Sequence, residues 1–89
     1  MNDLEKARGV INQIDAMMIE LFKVRMKAVK VILEYKKENN LEIFDEAREL
    51  ELLNKNLELL NDQELEQYYK TFFKAVLKSS KDYQGSLYE

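Results

Sequence analysis

Four cations stand on or beside stretches that otherwise read as apolar helix faces: Arg8, Arg25, Lys36 and, in the first turn of a second helix, Arg48. Burying a charge is costly unless something pairs it. One answer lies within the chain, because Asp15, Glu49 or other carboxylates are available and long cationic stems also snorkel to water. The other answer is an anion from outside, since guanidinium forks match carboxylates bidentately. Arg25 and Lys36 are eleven residues apart, about three turns or ~16 Å along one helix face. Two long side chains leaning toward each other leave a gap fit for a small molecule. Arg8 precedes Arg25 by seventeen residues, or ~25 Å of helix axis. If both serve one pocket, Arg8 must come from a second copy of the chain. On spacing alone both answers stay open.

The remaining residue types narrow the chemistry. The chain has no His and no Cys, which excludes the usual nucleophile–base triads, thiolate chemistry and common zinc sites. No glycine-rich loop is present to cradle phosphates. Carboxylates alone bind hard metal ions, but Asp45 and Glu49 read more simply as a helix cap and a first-turn residue. No metal and no cofactor are therefore expected. A net charge of -3 argues against a nucleic-acid partner, which prefers a basic face. No apolar run is long enough to span a bilayer, and the opening MNDLEKAR does not resemble a signal peptide. The expected compartment is the cytoplasm.

The elements that must position these residues are helices. From Leu4 to about Lys37 there is no Pro and a single Gly, Gly9. Alternating three- and four-residue steps pick out an apolar row: Ala7, Val10, Ile14, Met17, Leu21, Val24, Ala28, Val31, Tyr35. The row beside it carries Arg8, Ile11, Asp15, Met18, Phe22, Arg25, Val29, Ile32 and Lys36. Asn39 and Asn40 suit a left-handed helix end. After a short extended link, Asp45 is the expected N-cap of a second helix reaching about Leu60, with Ala47, Leu50, Leu53, Leu57 and Leu60 on one face. Asn61 and Glu64 form a capping-box pattern that starts a third helix. That helix carries Leu65, Tyr69, Phe72, Phe73, Val76 and Leu77 inward, and Ser80 and Gln84 continue the same face. Gly85 is expected to stop it, leaving residues 86–89 to fray. The expectation is a single all-α domain over residues 1–89, with helices at about 4–38, 45–60 and 62–84.

Size bears on assembly. An 89-residue chain buries roughly two-thirds of its unfolded surface, so its own core is thin. A helix of thirty-odd residues is about 50 Å long, whereas a compact monomer of this size has a radius of gyration of roughly 12 Å. The long helix needs a second chain beside it, and an intertwined homodimeric bundle is expected.

From Arg8 to Gln84 the chain resembles the small all-helical chorismate mutases. The matching elements are R-x-x-I-x-x-I-D (Arg8, Ile11, Ile14, Asp15), then Arg25, Lys36, the run IFDEARE with Asp45, Arg48 and Glu49, and Ser80-x-x-x-Gln84. The resemblance implies an intertwined dimer of three-helix chains, and rearrangement of chorismate to prephenate on the route to phenylalanine and tyrosine. It also implies roles. Arg25 and the other chain's Arg8 would hold the substrate's two carboxylates. Lys36 and Gln84 would donate to the ether oxygen, and Glu49 would accept from the ring hydroxyl near the Asp45 backbone. Arg48 and Ser80 would complete the polar wall, while Ile32 and Leu77 would press on the ring. Each of these residues also has a structural reading: Asp45 as cap, Arg48 as a support for Glu49, Ser80 as a small packing residue. Asp15 is read as structural. No regulatory or fused catalytic segment is expected. Two alternatives are an isochorismate pyruvate lyase on the same scaffold, which Glu49 and Asp45 disfavour, and a non-catalytic helical dimer whose cations pair internally.

Overall fold

The computed structural model describes residues 2–88 and contains three helices: α1 (Asp3–Glu38), α2 (Glu46–Leu60) and α3 (Gln63–Leu87). No strand occurs among the described residues. Helix α1 opens on Asn2, whose side chain accepts from the Glu5 N–H at 2.9 Å. Asp3 and Glu5 in its first turn and Lys36 and Lys37 in its last both complement the helix dipole. Its C-terminus closes as a Schellman motif: Asn40 takes φ 55°, the Leu41 N–H reaches Lys36 O at 2.8 Å, and the Asn40 N–H reaches Lys37 O at 3.3 Å. The chain then turns through an irregular link, and Asp45 caps α2 by accepting from the Arg48 N–H at 3.1 Å.

Two expected boundaries are corrected. The residue that starts the third helix is Asp62 rather than Asn61. Asp62 Oδ1 accepts from the N–H groups of Glu64 and Leu65 at 3.0 and 3.2 Å. Asn61 instead ends α2 in the left-handed conformation, at φ 46° and ψ 48°. Asn tolerates that region, which leaves Asp62, an equally good capping residue, to accept at the helix start. Gly85 does not stop α3, which continues to Leu87. Lys37 supplies the reason: its ammonium donates to Leu87 O at 2.8 Å and lies 5.9 Å from the Tyr88 ring centroid. A side chain of α1 thus satisfies one of the carbonyls left open at the end of the longer helix, and Gln84 lies within the helix rather than at its loose end.

Helix α3 is the central element, packed against both α2 and α1. Among the described residues the buried apolar side chains are Val29 and Leu33 of α1 with Phe73 and Leu77 of α3. Tyr69 stacks on Phe73, their ring centroids 5.7 Å apart. Buried Ser80 and Gln84 extend this face toward the end of α3. Within one chain, α3 covers a different face of α1 from the one the apolar row presents. Val10, Ile14, Met17, Leu21, Val24 and Val31 are all exposed, while Val29 and Leu33 are covered. The molecule is elongated, 55 × 26 × 16 Å with a radius of gyration of 16.3 Å.

The cap assignment makes a prediction. Asp62→Ala lowers stability by about 1 kcal/mol, read as a lower urea midpoint at fixed chain concentration. Asn61→Gly, which keeps the left-handed position accessible, leaves the midpoint unchanged or raises it. The reverse order would restore Asn61 as the cap.

Candidate active site

A cavity of about 260 Å³ is lined by all three helices and the link between α1 and α2. Of the eight site residues the sequence nominates, seven line it: Arg25, Lys36, Asp45, Arg48, Glu49, Ser80 and Gln84. Ile32 and Leu77 line it too. Arg8 does not; it is exposed on the N-terminal half of α1, ~25 Å along the axis from Arg25.

The polar side chains are held mainly by neutral partners. Arg25 Nη1 donates to Ser80 Oγ, and Ser80 Oγ in turn donates to Val76 O at 3.0 Å. The serine hydroxyl therefore fixes the guanidinium without cancelling its charge. Lys36 Nζ donates to Ile43 O at 2.6 Å, which ties the end of α1 to the link and leaves two ammonium protons free for other acceptors. Gln84 Nε2 donates to Val29 O at 3.0 Å in the buried interior, and its second amide proton stays available. Asp45 uses one carboxylate oxygen on the α2 N-terminus, so it is both cap and cavity wall.

The carboxylates are distributed differently from expectation. Arg48 does not support Glu49. Its guanidinium turns one helical turn along to Glu51, with Nη1 to Oε1 at 2.7 Å, and both side chains are largely exposed. Glu49 is paired instead with Lys81 of α3, Nζ lying 3.2 Å from Oε2. Lys81 also lines the cavity, and nothing in the sequence separates it from the neighbouring lysines Lys74 and Lys78. Among the described residues, neither Arg25, Lys36 nor Arg8 is ion-paired with a carboxylate. Of the four cations nominated by the sequence, Arg48 alone is paired with one of the chain's own acids among the described residues. Two uncompensated positive charges, Arg25 and Lys36, border one small cavity.

A larger cleft of about 580 Å³ lies further toward the N-terminal half of α1, walled by Met18, Leu21, Phe22, Phe72, Phe73 and Val76 among others. Its lining is almost wholly apolar, with Asp15 and Arg25 at its border. Such a surface suits apolar side chains and offers a small dianion little. The smaller cavity, lined by charged, hydroxyl and amide side chains, is the candidate site. No group of His, Cys, Asp or Glu among the described residues is arranged to hold a metal ion, and no described helix is long and apolar enough to cross a membrane.

Gln84→Glu tests the donor role of Gln84 directly. A carboxylate facing Val29 O sets two acceptors against each other, and only the protonated acid donates. The folded state then binds that proton more tightly than the unfolded chain, so the variant gains stability as pH falls. Expected are a loss of ~1–3 kcal/mol at pH 7 and partial recovery near pH 5, read from unfolding midpoints against wild type. A pH-independent difference would contradict the contact.

The family model described as chorismate mutase type II matches residues 7–85 of the 89-residue chain. No curated protein and no solved structure gives a significant match.

Proposed function

The chain belongs to the chorismate mutase type II family, and from that membership and the cavity we propose that it rearranges chorismate to prephenate, for phenylalanine and tyrosine synthesis. The observation that carries the reading is the pair of cations, Arg25 and Lys36, bordering one cavity with no carboxylate partner among the described residues. The reaction is a concerted pericyclic step that needs no nucleophile, metal or cofactor, which suits a chain without His or Cys. Its substrate is a dianion that must fold into a compact, chair-like geometry. Catalysis then consists of positioning and charge stabilisation.

In this mechanism Arg25, braced by Ser80, takes one carboxylate. Arg8 of a second chain takes the other, because its own Arg8 is too far along α1. Lys36 and Gln84 donate to the ether oxygen as negative charge develops there, using protons left over from Ile43 O and Val29 O. Glu49 accepts from the ring hydroxyl beside the α2 N-terminus, and Arg48 completes the polar wall. Ile32 and Leu77 hold the ring in its folded form.

The proposed assembly is a homodimer interlocked along α1. The exposed apolar row of that helix and the apolar cleft beside Phe22 and Phe72 support it, since contiguous exposed apolar surface of this kind marks an interaction face.

Supplying chorismate and isochorismate separately tests the assignment, with prephenate from chorismate as the expected product. Pyruvate released from isochorismate, with chorismate left unrearranged, would replace the mutase by a lyase. Arg25→Ala and Arg8→Ala are each expected to lose thirty- to several-thousand-fold in kcat/KM, corresponding to ~2–5 kcal/mol, while staying dimeric. Unfolding and refolding the two variants together restores activity, because a mixed dimer holds one site with both arginines. Mixed dimers that form and stay inactive would rule out a site shared between chains.

A further inference from the structure

Four ion pairs are present among the described residues, and one differs in kind. Lys23–Glu20, Arg48–Glu51 and Lys78–Asp82 each lie within a single helix, with side chains 55–74% exposed. Pairs of that sort contribute little. Lys81–Glu49 joins α3 to α2 across 32 residues of sequence, and its side chains are only 34% and 23% exposed. The ammonium straddles the carboxylate, 3.3 Å from Oε1 and 3.2 Å from Oε2. The Phe44 ring centroid is 4.5 Å from the same Nζ, a distance at which the ring's negative face attracts a cation. The lysine is thus gripped by the link and by α2 at once, at the wall of the polar cavity.

We propose that Lys81 is a positioning residue that acts through Glu49. By bridging both carboxylate oxygens it fixes the plane in which Glu49 presents its remaining lone pairs to the substrate hydroxyl. It also offsets a negative charge that would otherwise share the cavity with a dianion. Lys81 itself needs no contact with the reacting atoms. The role rests on the proposed mutase reaction.

The test is a double-mutant cycle on the full-length chain, with kcat and KM for chorismate and the melting temperature measured throughout. Lys81→Met is expected to lower kcat/KM about five- to tenfold, chiefly through KM, because the hydroxyl contact is made in ground and transition states alike. Lys81→Arg restores the wild-type value to within about twofold, since a guanidinium also spans two carboxylate oxygens. In a Glu49→Gln background, Lys81→Met changes kcat/KM by less than about twofold. Lys81→Gln takes the place of the Met variant if the latter fails to fold. An equal loss with and without Glu49, or a Lys81 variant as active as wild type, overturns the role while leaving the reaction intact. A wild-type chain that leaves chorismate unchanged overturns the reaction and this role together.

Discussion

The structure depends on one electrostatic constraint: two positive charges are held at the wall of a small helical bundle by partners that cannot neutralise them. Ser80 Oγ orients Arg25 and the Ile43 carbonyl orients Lys36. A neutral acceptor supplies direction and fixes a rotamer, whereas a carboxylate would also cancel the charge and remove the attraction for an anion. The two acids that line the cavity have other partners. Asp45 serves the α2 N-terminus and Glu49 serves Lys81, while Arg48 is answered by Glu51 outside. The positive charge left over is therefore concentrated on α1, where a dianion folded into the cavity would meet it.

Helix α3 makes this arrangement possible. Phe73 and Leu77 anchor it on α1, and the same face then delivers Ser80 and Gln84 one and two turns further along. Each polar side chain crosses to α1: Ser80 to Arg25, and Gln84 to the Val29 carbonyl. Core packing and the placement of Arg25, Ser80 and Gln84 are consequently set by one helix–helix contact. The covered apolar set is small for a chain of this length, and the long apolar row of α1 lies on a different face. A second chain along that row would both complete the core and bring its Arg8 toward the cavity, so the proposed dimer answers a folding need and a catalytic need with the same contact.

Much of this was legible in the sequence because it rests on local periodicity. The helix identities, the Asp45 cap and the continuation of an apolar face by Ser80 and Gln84 all follow from spacing of three and four. What was not legible depends on tertiary context or on choices between near-equivalent neighbours. Asn61 and Asp62 both cap helices well, and only the path of the chain decides which one takes the left-handed position. Gly85 reads as a terminator until Lys37 of another helix is found on the Leu87 carbonyl. Arg48 has Glu49 next to it and Glu51 three residues on, and helical geometry brings the second within reach. The Glu49–Lys81 pair joins residues far apart in sequence, and no local pattern distinguishes that lysine from its neighbours.

The most direct measurement is a calorimetric titration of the purified chain with a bicyclic dicarboxylate that mimics the folded transition state, set against the same compound with one carboxylate replaced by an amide. One molecule is expected to bind per chain, with an affinity for the dicarboxylate at least about a hundredfold higher, a difference of ~2.7 kcal/mol, that shrinks as salt is added. Equal affinity for the two compounds, or no binding of either, would contradict the claim that the uncompensated cations exist to receive a dianion.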